Sequence, residues 1–265
     1  MEKTFRMILE YDGTDFNGWQ SQARGRTVQQ VLEKGLHRLL RQKIKVVGAS
    51  RTDSGVHALG QVAHFKVNWS GSCLGFRPAV LTRSARLGAR PSPPAPMSRL
   101  RHSLNAVLPD DVVVRQIEEM GASFHAIRLA REKTYLYRIW NHWSRPVLEK
   151  DFVWHVREPL DSRAMRKGAR YLVGRHDFSA FKGRNSETKT KVRTIYKIKI
   201  SPSLIQITGN GFLKYMVRNI VGTLVEVGKG RRLPAEVGKI LSSKDRRKAG
   251  MTAPAHGLFL KEVVY

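Results

Sequence analysis

The chain has 265 residues, 41% of them hydrophobic, enough apolar material for one large domain or two ordinary ones. Lys and Arg number 48 against 21 Asp and Glu, a formal net charge of +27 at pH 7. Such an excess repels itself in a compact state and points to a polyanionic partner, without naming a reaction. The lone cysteine, Cys73, excludes an internal disulfide and any cysteine-rich metal site. The opening MEKTFRMILEYDG is too polar for a secretion signal, and no apolar run is long enough to span a bilayer. A soluble, cytoplasmic protein without membrane association is expected.

Phe5, Met7, Leu9 and Tyr11 alternate with Thr4, Arg6 and Glu10, the period-two pattern of a half-buried strand, and Asp12-Gly13 marks a turn after it. From Thr27 the period becomes helical: Val28, Val31, Leu32, Leu36, Leu39 and Leu40 share a face, and Thr27 with Gln30 suits a capping box. A short apolar stretch, Ile44 to Val47, and a strand at Val62 to Val67 bracket a loop that carries Asp53. Residues 71–100 are rich in Pro, Ser, Ala and Arg without periodicity, and their centre reads as a basic, poorly ordered loop. Order is expected to return at Leu104-Asn-Ala-Val-Leu-Pro109, with a strand at Val112 to Ile117.

The second half alternates in the same way. Tyr135, Tyr137 and Ile139 form a strand face flanked by Arg131 and Lys133, and a helix is expected around Asp161 to Val173. Val192 to Ile200 and Leu204 to Thr208 suit a hairpin. Leu213, Met216, Val217, Ile220, Val221, Leu224 and Val227 recur at helical spacing up to Gly228 and Gly230, and Leu258 to Val264 reads as a last strand. Without a dinucleotide fingerprint, two α+β units with largely antiparallel sheets fit better than a Rossmann domain. The units are expected at residues 1–120 and 121–265.

The run Gly48-Ala-Ser-Arg-Thr-Asp-Ser-Gly-Val-His57 is the most informative stretch. Asp53 is either a turn residue capping a backbone amide, or a catalytic carboxylate kept ionised by Arg51, with His57 nearby. Arg218, one turn after Lys214, is either a solvated flank of its helix or an inward cation paired with a carboxylate. Tyr135 is either a core aromatic or a ring on which a nucleobase stacks. The histidines lack metal-ligand spacing, and no Walker loop or Gly-x-Ser-x-Gly elbow is present, so neither a metal nor a nucleotide cofactor is expected.

Taken together, these strings resemble the tRNA pseudouridine synthase A family. The matches are YDGTDFNGWQ (11–20), SRTDSGVHALGQVAHF (50–65), LNAVLP (104–109), KTYLYRIWN (133–141), LVGRHDFSAF (172–181), GNGFLKYMVRNIVGTLVEVGKG (209–230) and APAHGLFL (253–260). They span nearly the whole chain in the family's order. The resemblance implies the pseudouridine synthase fold, with two ferredoxin-like units around a central basic RNA-binding cleft. It implies isomerisation of uridine to pseudouridine at positions 38, 39 and/or 40 in the anticodon stem-loop, by a homodimer whose subunits both contact one tRNA. Asp53 would be the nucleophile, Arg51 would displace the target base, Tyr135 would pack on the uracil, and Arg218 would orient Asp53. His57, Gln61 and Asn105 fall in the same strings as candidate substrate-binding residues. One departure stands out: the family's Phe-x-Ala-Arg reads Phe124-His-Ala-Ile127, with Arg128 one place later.

Two other classes fit the sequence less well. A noncatalytic RNA-binding protein of the same fold would have no use for the acid, the tyrosine and the two arginines. A glycosidase or nucleosidase normally needs a pair of carboxylates, and no second acid accompanies Asp53 in any motif.

Overall fold

A computed structural model describes residues 1–69, 96–183, 188 and 190–265. Its elements in chain order begin with β1 (Glu2–Tyr11), α1 (Val28–Leu40), β2 (Val46–Gly48), β3 (His57–Asn68), α2 (Pro96–Asn105) and β4 (Val112–Met120). They continue with β5 (Glu132–Asn141), β6 (Trp154–Val156), α3 (Ser162–Ala169), β7 (Gly174–Asp177), β8 (Val192–Ser201) and β9 (Leu204–Gly209). The chain then runs through α4 (Met216–Gly228), α5 (Glu236–Ser243) and β10 (Leu258–Val264).

The architecture is α+β. Eight strands form one path in the order β4-β1-β3-β10-β5-β9-β8-β7, with β2 added to β3 and β6 to β5. Pairing is antiparallel except between β10 and β3 and between β5 and β6. β10 is inserted at the middle of the path, beside β3 on one side and β5 on the other. That register sets Phe259 opposite His57 and Leu260 opposite both Ala58 and Tyr135. The last strand in the sequence therefore brings the two strands that carry the site next to each other. Helices α1 and α2 pack together over the first half, and α3, α4 and α5 over the second. No helix among the described residues is long and apolar enough to cross a membrane.

Local sequence explains most of these elements. In β1, Phe5, Met7, Leu9 and Tyr11 are buried as the alternation requires. In α1, Val28, Leu32, Leu36, Leu39 and Leu40 are buried. Thr27 caps α1 by accepting from Gln30 N at 3.4 Å, but the Gln30 side chain takes a hydrogen bond from the Thr27 hydroxyl at 3.0 Å instead of reaching back to its amide. Half of the expected capping box is thus formed.

Three expectations need correction. The irregular stretch 71–100 ends earlier than expected, because Pro96–Asn105 is helical. Proline is well tolerated at a helix start, and Leu100 and Leu104, one turn apart, are fully buried. The centre of that stretch lies outside the described residues. The helix expected over 161–173 stops at Ala169 and passes through a single 3-10 turn, Arg170–Leu172, before the chain extends. The helix expected from Leu213 begins at Met216, because Tyr215 has φ +61°, outside the right-handed helical region.

Candidate active site

Asp53 stands on the loop between β2 and β3. Val56 N donates to Asp53 O at 3.2 Å and closes a four-residue turn, in which Gly55 takes φ +74°. The segment after β1 holds this turn from outside. Trp19 N donates to Thr52 O at 3.0 Å, Gly55 N donates to Phe16 O at 3.2 Å, and Tyr11 shares a 2.8 Å hydrogen bond with the Thr52 hydroxyl. Gly18, at φ +86°, packs tightly on it: a Cβ there would lie 2.6 Å from Thr52 O. The string YDGTDFNGWQ is therefore the cradle of the acid-bearing loop.

The opposite wall is the start of α4. Arg218 points inward. Its Nη1 lies 3.4 Å from Asp53 Oδ2, and its Nε donates to Ala253 O at 2.7 Å. Ala253 N returns a bond to Arg218 O at 3.1 Å, so the guanidinium is braced by the segment just before β10. One residue on, Asn219 donates to Phe181 O at 2.7 Å and accepts from Thr252 Oγ1 at 2.6 Å, which fixes the first turn of the helix. Lys214 Nζ and the Arg218 guanidinium lie 5.2 Å and 5.1 Å from the Tyr215 ring centre.

Burial pushes the Asp53 carboxyl above its ordinary value, and Arg218 and Lys214 only partly offset it. This corrects the expectation that a neighbouring cation dominates. The cations that act on Asp53 come from the other half of the chain; Arg51 is exposed and is not among them. An acid desolvated in this way has a weakly hydrated carboxylate when ionised, which favours its use as a nucleophile.

The third wall is β5. The Tyr135 hydroxyl shares a 2.8 Å hydrogen bond with Ser50 Oγ, and its ring meets Phe212 edge-on at 5.2 Å. Burial, with Asp53 adding to it, pushes the phenol up to about 12, so Tyr135 keeps its proton. Ser50 is in turn gripped by Gln61, which donates to its carbonyl at 2.6 Å and accepts from its amide at 3.2 Å. Together the walls enclose a cleft of about 650 Å³, lined by Asp53, Arg51, Tyr135 and Arg218 among others. Asp53 is the one acid among the described residues that line it.

The cleft thus brings together Asp53, Arg51, Tyr135 and Arg218, and leaves out His57, Gln61 and Asn105. His57 is 1% exposed and accepts from Gly13 N at 3.0 Å. Its Nδ1 also lies 3.1 Å from Asp12 Oδ1, and its Nε2 lies 3.1 Å from the carbonyl oxygens of Asp151 and His256. It is a strut between the first turn and the end of the chain, kept neutral by burial, which pushes its pKa down. Gln61 acts behind Ser50. Asn105 bridges the amide and carbonyl of Val114 at 2.8 Å and 2.9 Å, tying α2 to β4. Sequence reasoning missed Ser50, Lys133 and Phe212 as lining residues. Lys133 was within reach, since it shares the strand face of Tyr135. Ser50 and Phe212 gave no such signal, because their place depends on where their loops land. Ile127, at the departure from the family pattern, also lines the cleft.

An acid with its own guanidinium, facing a proton-bearing tyrosine in a basic cleft, is the outfit of an enzyme that works on one base of a nucleic acid. The family model described as tRNA pseudouridine synthase matches residues 7–127 and 169–265, and the chain belongs to that family. Proteins named tRNA pseudouridine synthase A are similar over nearly their whole lengths. The one from Brevibacillus brevis is 45% identical, covering 99% of this chain and 100% of its own. The one from Thermoanaerobacter sp. (strain X514) is 42% identical, covering 98% of each. That from Myxococcus xanthus is 42% identical, covering 98% of this chain and 91% of its own. The protein is accordingly an isomerase that converts uridine in tRNA to pseudouridine.

Proposed function

We propose that Asp53 is the nucleophile of this isomerisation, acting on uridines 38, 39 and/or 40 of the anticodon stem-loop. The observation that carries the reading is the one acid among the described lining residues, desolvated and 3.4 Å from Arg218. Arg218 orients the carboxylate, Tyr135 packs against the uracil, and Arg51, exposed at the cleft, displaces the target base from its stack. The N1–C1′ bond breaks, the uracil turns while held, and C5–C1′ forms; C5 gives up a proton and N1 gains one. Tyr135 supports the turning step, since its hydroxyl is tied to Ser50 and its ring is fixed by Phe212.

Extracting the base costs a few kcal/mol, least in a loop or at a stem end. The net charge of +27 supports phosphate contacts that offset this cost. A homodimer, acting in the cytoplasm with both subunits on one tRNA, completes the reading, as do two structural units divided near residue 120. At Ile127 the cleft has an apolar side chain, so no phosphate contact comes from that position. A glycosidase reading is disfavoured because the described lining has no second carboxylate.

The test is tritium release from tRNA labelled at C5 of uridine, with the native protein and with Asp53→Asn. Release by the native protein and none by the variant is expected. A variant that still releases label would remove Asp53 as nucleophile, and free uracil in the products would indicate hydrolysis.

A further inference from the structure

Among the described residues, four cations line the cleft: Arg51, Lys133, Lys214 and Arg218. Arg218 faces Asp53, Lys214 lies against Tyr215, and Arg51 is exposed. Lys133 has a different setting. It precedes Tyr135 by two residues on β5, so both side chains leave the same face of the sheet, roughly 6.5 Å apart along the strand. Its Nζ donates to Ala49 O at 2.6 Å. An ammonium has three protons to donate, and this carbonyl is its hydrogen-bond partner among the described residues.

A second cation comes from the neighbouring strands: Gly209 pairs with Lys133 on β5 and with Ile195 on β8, two residues after Arg193. Arg193 on β8 repels the Lys133 charge, and its own Nη1 donates to the carbonyls of Thr190 at 3.0 Å and Val192 at 2.7 Å. Neither cation forms an ion pair with a carboxylate among the described residues. Gly209 is opposite Lys133 in the β5–β9 register, and a Cβ on Gly211 would meet only Arg193, at 3.8 Å or more. Two like charges near each other, bonded only to carbonyls among the described residues, are unfavourable in the free protein and become favourable when an anion arrives.

We propose that Lys133 and Arg193 form a phosphate subsite that takes the RNA backbone next to the nucleotide whose base packs on Tyr135. The proposal rests on the reading of the cleft as the uridine site, and it names how the strand is held there. Burial and Arg193 push the Lys133 ammonium down to about 8, and a bound phosphate opposes both effects. Because Lys133 also holds the Ala49 carbonyl, the strand and the start of the acid loop share one anchor.

The experiment measures tRNA binding across a range of salt concentrations in the Asp53→Asn protein, so that turnover plays no part. Adding Lys133→Gln is expected to weaken binding several-fold and to reduce the slope of log affinity against log salt by about 0.7–1, the mark of one lost phosphate contact. Lys133→Arg should keep the slope, and Arg193→Gln should reduce it. Melting curves accompany each variant; should Lys133→Gln not fold, Arg193→Gln carries the test. A folded Lys133→Gln or Arg193→Gln protein with an unchanged slope overturns the subsite, and lost turnover alone would then leave Lys133 as a strut for Ala49. Tritium release by Asp53→Asn would instead defeat the nucleophile assignment and leave the binding result standing.

Discussion

The two walls that meet at Asp53 are built by different means. On its own side the acid is placed by backbone: the 50–56 loop is tied by amides and carbonyls of residues 16–19 and by a hydroxyl pair, at distances of 2.8–3.2 Å. On the far side one long side chain reaches it, at the looser 3.4 Å. Position is thus set by many short-range contacts that require glycine, and orientation by a single guanidinium braced on Ala253. The first kind of support fails through the fold, the second through the chemistry, and variants should separate them.

The largest effect is expected from Asp53→Asn, which keeps the shape and removes the proposed nucleophile: turnover should fall by roughly 10³-fold or more, with tRNA affinity nearly kept. A variant that loses affinity and turnover in equal measure would show that the carboxylate serves binding. Arg218→Gln comes next. Turnover should drop by about 10²-fold, and because Arg218 lowers the pKa of Asp53, the acid limb of the pH–rate profile should move to higher pH. An unmoved limb would break the link between the two walls.

Gly18→Ala tests the backbone side. A Cβ at 2.6 Å from Thr52 O and a left-handed φ should cost about 1–3 kcal/mol, read as a melting point several degrees lower, with tRNA affinity affected less than stability. The smallest effect is acid sensitivity. His57, His64 and His256 are all pushed below 6.5 by burial, so the unfolded chain takes up protons that the native state refuses. Their contribution is complete above pH 6.5 and is lost as the pH falls below it. Asp53, raised, works in the opposite direction. The melting point should decline from pH 7.5 to pH 5, before the carboxylates that are lowered below their ordinary values begin to titrate. A flat profile over that interval would show that these rings titrate freely.

Much of this molecule was legible in the sequence, for reasons that differ by residue. β1, α1, β5 and the β8–β9 hairpin carry clean periodicity, and periodicity reports burial directly. Asp53, Arg51, Tyr135 and Arg218 could be collected because they sit in long strings in a recognisable order. The short elements β6 and β7 were not expected, because three or four residues carry too little pattern to rise above their surroundings. α2 was hidden by its proline-rich approach. The direction in which Asp53 titrates was the least legible feature, since desolvation depends on how two distant segments close over the loop. His57 shows the same limit from the other side: a histidine four residues from the acid is turned away to brace Gly13.

The place of β10 between β3 and β5 bears on how the protein is made. On a ribosome, the first strands emerge long before residues 258–264, yet the gap between β3 and β5 stays open until those residues arrive. The strands on either side gain a common sheet only through pairings that are far apart in sequence and correspondingly slow to form. A nascent chain therefore carries the acid loop without the brace that aims it. The site thus depends on pairings between segments distant in the sequence, β10 with β3 and β10 with β5.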